Sequence, residues 1–369
     1  MPFWLRRPVL LAQGAWADRD RPPLAALARV QDGERFVWAV LPHAARTFSA
    51  CITLLPGEAA LASAVAYLYC RMLDSCEDLQ PDRGAREAAL AAFAARFDRD
   101  PPGPAPRLRD PAPRDARDRA HLLVLERAAL VDEQFTRLPP EVQEAIRELV
   151  REMCAGMLRA SGRLSEQRGT LADEEQLRDY CRAVLGQPVL FAVRLVRLGR
   201  GLREPLSVRQ REDALRVGEF VQLANVTRDL EKDLARGVAW EPSLQGDLLR
   251  TDAASDTGFR ERVRRARERL MLRAFGHVPA YAGLLDAMCL PAVSRARASA
   301  ILMLLFTERY WRGCARRCGA TIGPGPQRTP ALLARAAAAA LSARRAAAEV
   351  ARVEAALLAV RSGPVAALA

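Results

Sequence analysis

The segment from Tyr67 to Asp78 sets acidic residues directly after an apolar run. No glycine or proline interrupts this segment, and apolar residues fill most of its first two turns, which predicts a helix. Asp74 and Asp78 are four residues apart, so their carboxylates share one helix face and lie about 6 Å apart. Two carboxylates at that distance repel each other unless a cation lies between them. The segment therefore predicts a helix with a cation site near its end.

The same arrangement recurs far downstream in the chain. Asp229 and Asp233 are again four residues apart after an apolar run, and an arginine accompanies each pair, Arg71 the first and Arg228 the second. Two acidic helix faces opposed across a cavity would hold divalent cations, and Mg²⁺ typically binds through a few carboxylates plus substrate phosphates. The two pairs therefore predict a Mg²⁺-dependent enzyme that acts on a diphosphate.

A single pair of this kind also has a simpler interpretation. Two aspartates four residues apart on a helix are common and usually mark a face that water covers. Acids within apolar helices are costly to bury, however, and need a compensating partner or a function. The recurrence of the pair, each time with an arginine, favours a functional site over a solvated face.

The composition narrows the class of protein. Half of the 369 residues are hydrophobic, which indicates a globular chain, and the net charge of +12 predicts a basic surface. Such a surface attracts nucleic acid, anionic lipid or a polyanionic substrate. The sequence has no zinc-finger spacing, no aromatic RNA-binding pattern and no lysine-rich tail, so we expect no nucleic-acid partner.

Targeting and membrane signals are weak in this sequence. There is no convincing signal peptide, and the longest apolar stretch, Ala298–Phe306, is far too short to cross a bilayer. The eight cysteines are scattered, mostly within apolar helical runs, as is typical of buried and reduced thiols. We therefore expect a cytoplasmic monomer whose membrane contact, if any, is peripheral and on the anionic inner face.

The hydrophobic pattern predicts an all-α fold, because it shows no strand-like alternation, no Asn-Gly hairpin and no internal repeat. The expected helices span residues 33–56, 58–79, 86–97, 119–136, 140–161, 174–200, 208–235, 257–274, 278–288, 292–318 and 331–361. The expected domain organisation is a loosely structured segment 1–30, one helical domain 31–320 and an Ala/Arg-rich helical tail 321–369. The Pro- and charge-rich segment 98–118 is interpreted as a surface loop of that domain, because both Asp pairs need the same cavity.

Five segments, in this order along the chain, resemble those of the squalene/phytoene synthase family. They are Ala45–Phe48, Tyr67–Asp78, Met153–Met157, Asp179–Gly186 and Gly218–Asp229. The resemblance implies a single-domain class I isoprenoid synthase fold, a helical bundle around a central cavity. It also implies the head-to-head condensation of two polyprenyl diphosphates through a cyclopropyl diphosphate.

The resemblance also implies roles for individual residues. Three Mg²⁺ ions would be held by side-chain oxygens on the two Asp motifs. The ligating residues would be Asp74, Asp78, Asn225, Asp229 and Asp233. Contacts with the substrate would come from Arg46, Thr47, Phe48, Tyr67, Arg71, Gln222 and Arg228. Tyr180 would lie near the departing diphosphate and assist the proton loss that closes the cyclopropane, while NADPH would serve a reductive second step.

Structural interpretations of several of these side chains remain open. A phenylalanine such as Phe48 is more often a plain core ring, and Arg46 and Arg71 would also fit surface charges. The hydroxyl of Tyr180 would also fit a bond to backbone. The Asp and Arg residues favour a function more strongly than Tyr180 does.

The segment after the second Asp motif departs from the family pattern. Relatives usually continue with Gly-Arg, whereas Val238 stands here at the position of that arginine. In relatives this flap helps to cover the second diphosphate. We therefore expect a weaker hold on the cyclopropyl diphosphate when it ionises, unless Arg236 compensates across Gly237.

The details of the motifs favour a squalene synthase-like enzyme. The Arg-Thr-Phe segment and the Asp-x-x-Glu-Asp form indicate farnesyl diphosphate as substrate, with presqualene diphosphate and then squalene as products. The alternatives are a phytoene synthase that uses the twenty-carbon diphosphate and an enzyme that stops at presqualene diphosphate. A third alternative is a non-catalytic family member that binds prenyl diphosphates, but a scaffold would not need intact Asp pairs.

Overall fold

The computed structural model describes residues 3–17, 20–45, 47–250, 256–323, 325 and 328–361. These residues contain seventeen α-helices and no β-strand, which confirms the expected all-α class. Among them, one isolated parallel bridge joins Thr170 to Ala239. None of the described helices combines the length and the apolar character needed to cross a membrane.

Backbone contacts group the chain into two compact units. The first consists of Met1–Leu158 and Arg194–Arg203, and the second of Arg159–Val193 and Glu204–Ala369. The first eight helices belong to the first unit: α1 (Phe3–Trp16), α2 (Leu24–Ala28), α3 (Gly33–Ala45), α4 (Thr47–Leu54), α5 (Gly57–Leu79), α6 (Arg83–Ala95), α7 (Ala116–Glu126) and α8 (Ala128–Phe135).

The later helices lie in or continue into the second unit, with α9 and α11 contributing to both. They are α9 (Pro140–Glu166), α10 (Glu174–Cys181), α11 (Gln187–Leu198), α12 (Val208–Ala235), α13 (Thr257–Phe275), α14 (Ala280–Ala287), α15 (Arg295–Arg317), α16 (Thr329–Ala340) and α17 (Ala343–Arg361). A π-helical turn, Arg182–Gly186, joins α10 to α11. The boundaries 31–320 and 321–369 stay a prediction.

Helix α5 is the centre of the first unit and packs against α3, α4, α6, α7 and α8. Most of its side chains are buried, among them Leu68, Tyr69 and Met72. Tyr69 Oη donates a hydrogen bond to Asp132 Oδ1 at 2.8 Å, and the same carboxylate pairs with buried Arg96. Each fully buried apolar side chain stabilises the fold by about 1.5–3 kcal/mol, so the position of α5 is firmly fixed.

Helix α12 is the corresponding centre of the second unit and packs against α10, α13, α14 and α15. Ser207 and Gln210 form a capping box at its start, in which each side chain bonds the other's backbone N–H. Gly237, with a φ of +79°, follows its end and adopts a conformation that costs glycine little. These two signals explain why the sequence predicts residues 208–235 correctly.

Two glycines let the π turn approach α12 closely. A Cβ atom on Gly218 would lie 2.3 Å from the Cα atom of Gly186, a distance that no side chain tolerates. Both glycines belong to segments that carry the family resemblance. The close approach of the two backbones explains why each of these positions holds a glycine. The close approach brings the residues that precede the turn, including Tyr180, alongside α12.

The helices differ from the expected ranges at several points. The segment 1–30 contains α1 and α2, and α1 is held by Arg7, whose Nη2 donates to Leu55 O at 2.8 Å. The expected helix 119–136 breaks at Arg127, where the backbone leaves the helical conformation with φ −105° and ψ 25°. The side chain of Arg127 donates to Val30 O at 2.5 Å, a distant contact that local sequence does not reveal.

The C-terminal tail divides into α16 and α17, and both pack against α15. Leu332, Val353 and Leu357 are buried in this packing. Arg352 donates to both carboxylate oxygens of fully buried Glu308, at 2.9 and 2.7 Å. A two-point bond between guanidinium and carboxylate is strong and geometrically specific, so α17 is fixed to the second unit.

Candidate functional site

The first Asp motif forms a polar stripe on α5. Tyr67, Arg71, Asp74 and Asp78 are spaced four, three and four residues apart, so they share one helix face. The first three are half-buried and Asp78 is exposed, whereas the other faces of α5 are almost completely buried. The structure thus brings four of the predicted residues together in the first unit.

Arg71 links the members of this stripe. Its Nη1 atom lies 2.9 Å from Asp74 Oδ2, and its Nη2 donates to Tyr67 Oη at 3.0 Å. Tyr67 Oη in turn donates to Ala44 O at 3.4 Å. Burial acts to lower the pKa of Arg71, but Tyr67 and Asp74 outweigh it and raise this pKa, so the guanidinium remains charged.

The carboxylate of Asp74 is poorly stabilised in its charged form. Burial raises its pKa to about 6, Arg71 acts in the opposite direction, and the neighbouring charge of Asp78 raises it further. One guanidinium does not fully compensate for the removal of this carboxylate from water. An additional cation beside Asp74 would stabilise its charged form.

The predicted residues before α4 are only partly described. Thr47 is buried at the start of α4, and Phe48 is half-buried with its ring centroid 5.9 Å from that of Tyr67. Phe48 therefore lies beside the polar stripe of α5. Arg46 lies outside the described residues.

The second Asp motif forms a similar stripe on α12, in the second unit. Gln222, Asn225, Asp229 and Asp233 recur at spacings of three, four and four residues, and all are half-buried. Asn225 Nδ2 donates to Gln222 Oε1 at 3.1 Å, which orients the amide. The structure thus brings all four predicted residues of this motif onto one helix face.

Arg228 forms a two-point ion pair with Asp229. Its Nε and Nη2 atoms donate to the two carboxylate oxygens at 3.0 and 2.6 Å, and its guanidinium lies 5.1 Å from the ring centroid of Tyr310. Burial acts to lower the pKa of Arg228, but the hydrogen bonds to Asp229 raise it. The arginine therefore carries its charge at every physiological pH.

Asp233 connects α12 to the turn that follows it. Its Oδ2 accepts a hydrogen bond from Trp240 Nε1 at 2.7 Å, and its Oδ1 lies 3.6 Å from Arg236 Nη1. Trp240 stacks on Tyr180, with ring centroids 4.5 Å apart and an interplanar angle of 21°. The structure therefore places Tyr180 beside the second motif, through a tryptophan that the sequence analysis did not assign.

Glu219, a fully buried acid on α12, was not predicted from the sequence. Its carboxylate meets two arginines and a histidine: Arg182 at 3.4 Å, Arg273 at 2.9 Å and His277 at 3.2 Å. Burial acts to raise its pKa, but His277 and Arg273 outweigh it and lower the pKa to about 2. An acid directly after Gly218 in an apolar run was the available signal.

The donor types of the two stripes fit Mg²⁺. Carboxylate and amide oxygens are the protein ligands that Mg²⁺ prefers, and it usually keeps water or substrate oxygens as its other ligands. Among the described residues, no three His, Cys, Asp or Glu side chains converge as a complete metal centre. The oxygen atoms of Asp74 and Asp78 on α5, and those of Asn225, Asp229 and Asp233 on α12, are of the donor type that Mg²⁺ prefers.

Comparison with known proteins gives a consistent assignment. The sequence model of the squalene/phytoene synthase family matches residues 41–324. Botryococcus squalene synthase of Botryococcus braunii is 29% identical over 207 residues, which are 55% of this chain and 40% of that relative. The match thus spans less than half of the relative's length.

Solved structures show the same fold. The complexes of TcSQS with the ligands BPH1237 and E5700 match this chain with TM-scores of 0.66 and 0.68. Each is 17% identical and covers 89% of this chain, with 92% and 91% of the TcSQS chains aligned. At this identity the likeness shows the fold alone.

The substitution Asp74→Asn is expected to stabilise the metal-free protein at pH 8 by about 3 kcal/mol. The folded state binds the Asp74 proton more tightly, with a pKa of about 6, than the unfolded chain, with a pKa of 3.8. Ionisation of Asp74 therefore weakens the fold as pH rises through this window. Urea unfolding at pH 8 and pH 5 measures the effect, which shrinks at pH 5 because Asp74 is then largely protonated.

A matched control for this measurement is Asp286→Asn, at an exposed position of α14. This substitution is expected to leave the free energy of unfolding unchanged at both pH values. A less stable Asp74→Asn protein at pH 8 would mean that the pair with Arg71 outweighs the cost of burial.

Proposed function

This chain belongs to the squalene/phytoene synthase family, and we propose that it is a Mg²⁺-dependent prenyltransferase that joins two polyprenyl diphosphates head to head. The observation that carries the proposal is the pairing of half-buried carboxylates with arginines on both stripes. Arg71 lies against Asp74, and Arg228 against Asp229. Such pairs offer ligands for cations and donors for anions side by side, which is what a Mg²⁺–diphosphate requires.

Each stripe is proposed to bind metal and diphosphate together. Bound Mg²⁺ would neutralise the charge of the diphosphate and make it a competent leaving group. Asp74 and Asp78 on α5, and Asn225, Asp229 and Asp233 on α12, would hold the ions. When a cation binds the carboxylates, the guanidinium groups of Arg71 and Arg228 would become available to donate two N–H groups each to diphosphate oxygens.

The remaining residues are proposed to orient the prenyl chains and move a proton. Thr47 and Tyr67 would bind diphosphate oxygens, as would Arg46, and Phe48 would exclude water from the allylic cation. Gln222 would fix Asn225 through the hydrogen bond between their amides. Tyr180 would lie near the departing diphosphate and assist the proton loss that closes the cyclopropane ring.

Farnesyl diphosphate is the proposed substrate, with presqualene diphosphate and squalene as products and NADPH as the reductant of the second step. The relative named Botryococcus squalene synthase supports this choice over a phytoene synthase. An enzyme that stops at presqualene diphosphate is the second candidate. The observation that favours it is Val238, which provides no donor or charge where relatives carry an arginine.

The metal-dependent reaction is tested by incubating the protein with farnesyl diphosphate or the twenty-carbon diphosphate, with and without Mg²⁺ and NADPH. We expect farnesyl diphosphate to be consumed only with Mg²⁺, and mass spectrometry identifies the product. Asp229→Asn should reduce turnover by about 100-fold or more, because the charge of the leaving group is then incompletely stabilised. Exposed Asp286→Asn serves as the control, and near-normal turnover by Asp229→Asn would refute the proposal.

The substitution Val238→Arg is expected to raise the fraction of squalene relative to presqualene diphosphate. An arginine in the turn would provide charge-assisted hydrogen bonds for the second diphosphate. Arg236→Ala separates two cases, because it lowers the squalene fraction only if Arg236 already serves this purpose. Val208→Arg, which adds the same charge at a position that is 86% exposed, is the control. A product ratio that none of these substitutions changes would exclude a role for the turn in the second ionisation.

The net charge of +12 supports a proposed peripheral contact with anionic membranes. We expect the protein to co-sediment with phosphatidylglycerol vesicles at low salt and to be released at about 0.5 M salt, where screening is nearly complete. Phosphatidylcholine vesicles provide the uncharged control. Binding that persists at high salt would indicate apolar insertion instead, and a lack of binding at low salt would contradict the proposal.

A further inference from the structure

Trp240 lies in the turn after α12, and the only polar group of its side chain forms a hydrogen bond with the second motif. The indole Nε1, the only hydrogen-bond donor of a tryptophan side chain, donates to Asp233 Oδ2 at 2.7 Å. Trp240 is 9% exposed, so little water competes for this bond. One of the two carboxylate oxygens of Asp233 is therefore fixed by the protein.

The face of the same indole holds Tyr180. The two rings are nearly parallel, with centroids 4.5 Å apart, and Tyr180 is 7% exposed. Stacked aromatic rings attract each other beyond the area that they bury. A single side chain thus contacts both a proposed metal ligand and the residue proposed to assist the proton loss.

The backbone around Trp240 is held as firmly as its side chain. Ala239 N donates to Gly169 O at 2.8 Å, and Ala239 O accepts from Leu171 N at 3.3 Å and from Thr170 Oγ1 at 3.1 Å. A Cβ atom on Gly169 would lie 2.6 Å from Gly237 O, so the two turns touch backbone to backbone. Trp240 is therefore presented by a turn that a second loop holds in place.

We propose that Trp240 is a positioning residue that orients Asp233 for Mg²⁺ binding and keeps Tyr180 beside it. This inference rests on the proposed function of the second motif. The indole holds Oδ2 while Oδ1 lies 3.6 Å from Arg236 Nη1, so residues of this turn orient the carboxylate of Asp233. Hydrogen bonds that orient a ligating carboxylate typically contribute 10- to 100-fold to metal affinity.

A purely structural role for Trp240 makes different predictions. A residue that only fills the core would affect stability, and any loss of Mg²⁺ binding would follow the loss of stability. Trp240→Phe separates the two roles, because it keeps an aromatic ring against Tyr180 but removes the N–H donor. Trp240→Leu removes both the donor and the stacking.

The test is a calorimetric titration of the full chain with Mg²⁺ in the presence of inorganic pyrophosphate. We expect Trp240→Phe to weaken Mg²⁺ affinity about 10- to 100-fold, with little change in melting temperature, and excess Mg²⁺ to restore its turnover. Trp311→Phe, at a buried position in the core, should lower the melting temperature without changing Mg²⁺ affinity. Trp240→Leu should also lower turnover at saturating Mg²⁺, because Tyr180 is then released.

The double variant Trp240→Phe with Asp233→Asn decides whether the indole acts through Asp233. If it does, Trp240→Phe costs no further affinity once Asp233 is replaced. An equal loss in both backgrounds, or unchanged Mg²⁺ affinity in Trp240→Phe, overturns the inference while the proposed function stands. If the unsubstituted protein does not bind Mg²⁺ with pyrophosphate, the proposed function fails, and this inference fails with it.

Discussion

A fully buried carboxylate fixes the elements around α12. Glu219 draws Arg182 from the π turn, Arg273 from α13 and His277 from the turn after it. Removing one partner of a buried ion pair typically costs about 3–5 kcal/mol. Separation of any of these elements from α12 would therefore cost much of the stability of the fold. Because the polar stripe begins one turn later, at Gln222, the same interactions set the orientation of the face that carries Asn225 and the two aspartates.

The sequence predicted what depends on local signals and missed what depends on distant contacts. The bounds of α5 and α12 follow from caps, prolines and glycines near their ends, and the two stripes follow from helical spacing. At the break, the side chain of Arg127 bonds to a carbonyl of another segment, and the bond from Trp240 to Asp233 depends on a turn that Gly169 and Gly237 allow to form. Neither contact has a spacing that could be recognised in the sequence. The roles of the stripe residues, unlike their placement, stay predictions.

The two stripes stabilise their half-buried carboxylates in different ways. On α5, Arg71 divides its donors between Asp74 and Tyr67, and burial still raises the pKa of the carboxyl to about 6. On α12, Arg228 gives two donors to Asp229 alone. Under the proposed function, both arginines exchange a carboxylate for a diphosphate when Mg²⁺ arrives. Mg²⁺ would take the carboxylate away from the arginine, and the diphosphate would replace it as the arginine's partner. The binding of the cation and of the anion would therefore be coupled.

The ion pair between Glu308 and Arg352 limits which C-terminal segments this protein could exchange with its relatives. Arg352 lies on α17, beyond residues 41–324, which the family model matches, whereas Glu308 lies within them. A hybrid that joins the shared region of this protein to the C-terminus of a relative would keep the buried carboxylate and lose one of its two arginine partners. Exchange of C-terminal segments between family members is therefore limited by charge at this position. Recombination would preserve the fold only where the incoming helix brings its own cation opposite Glu308.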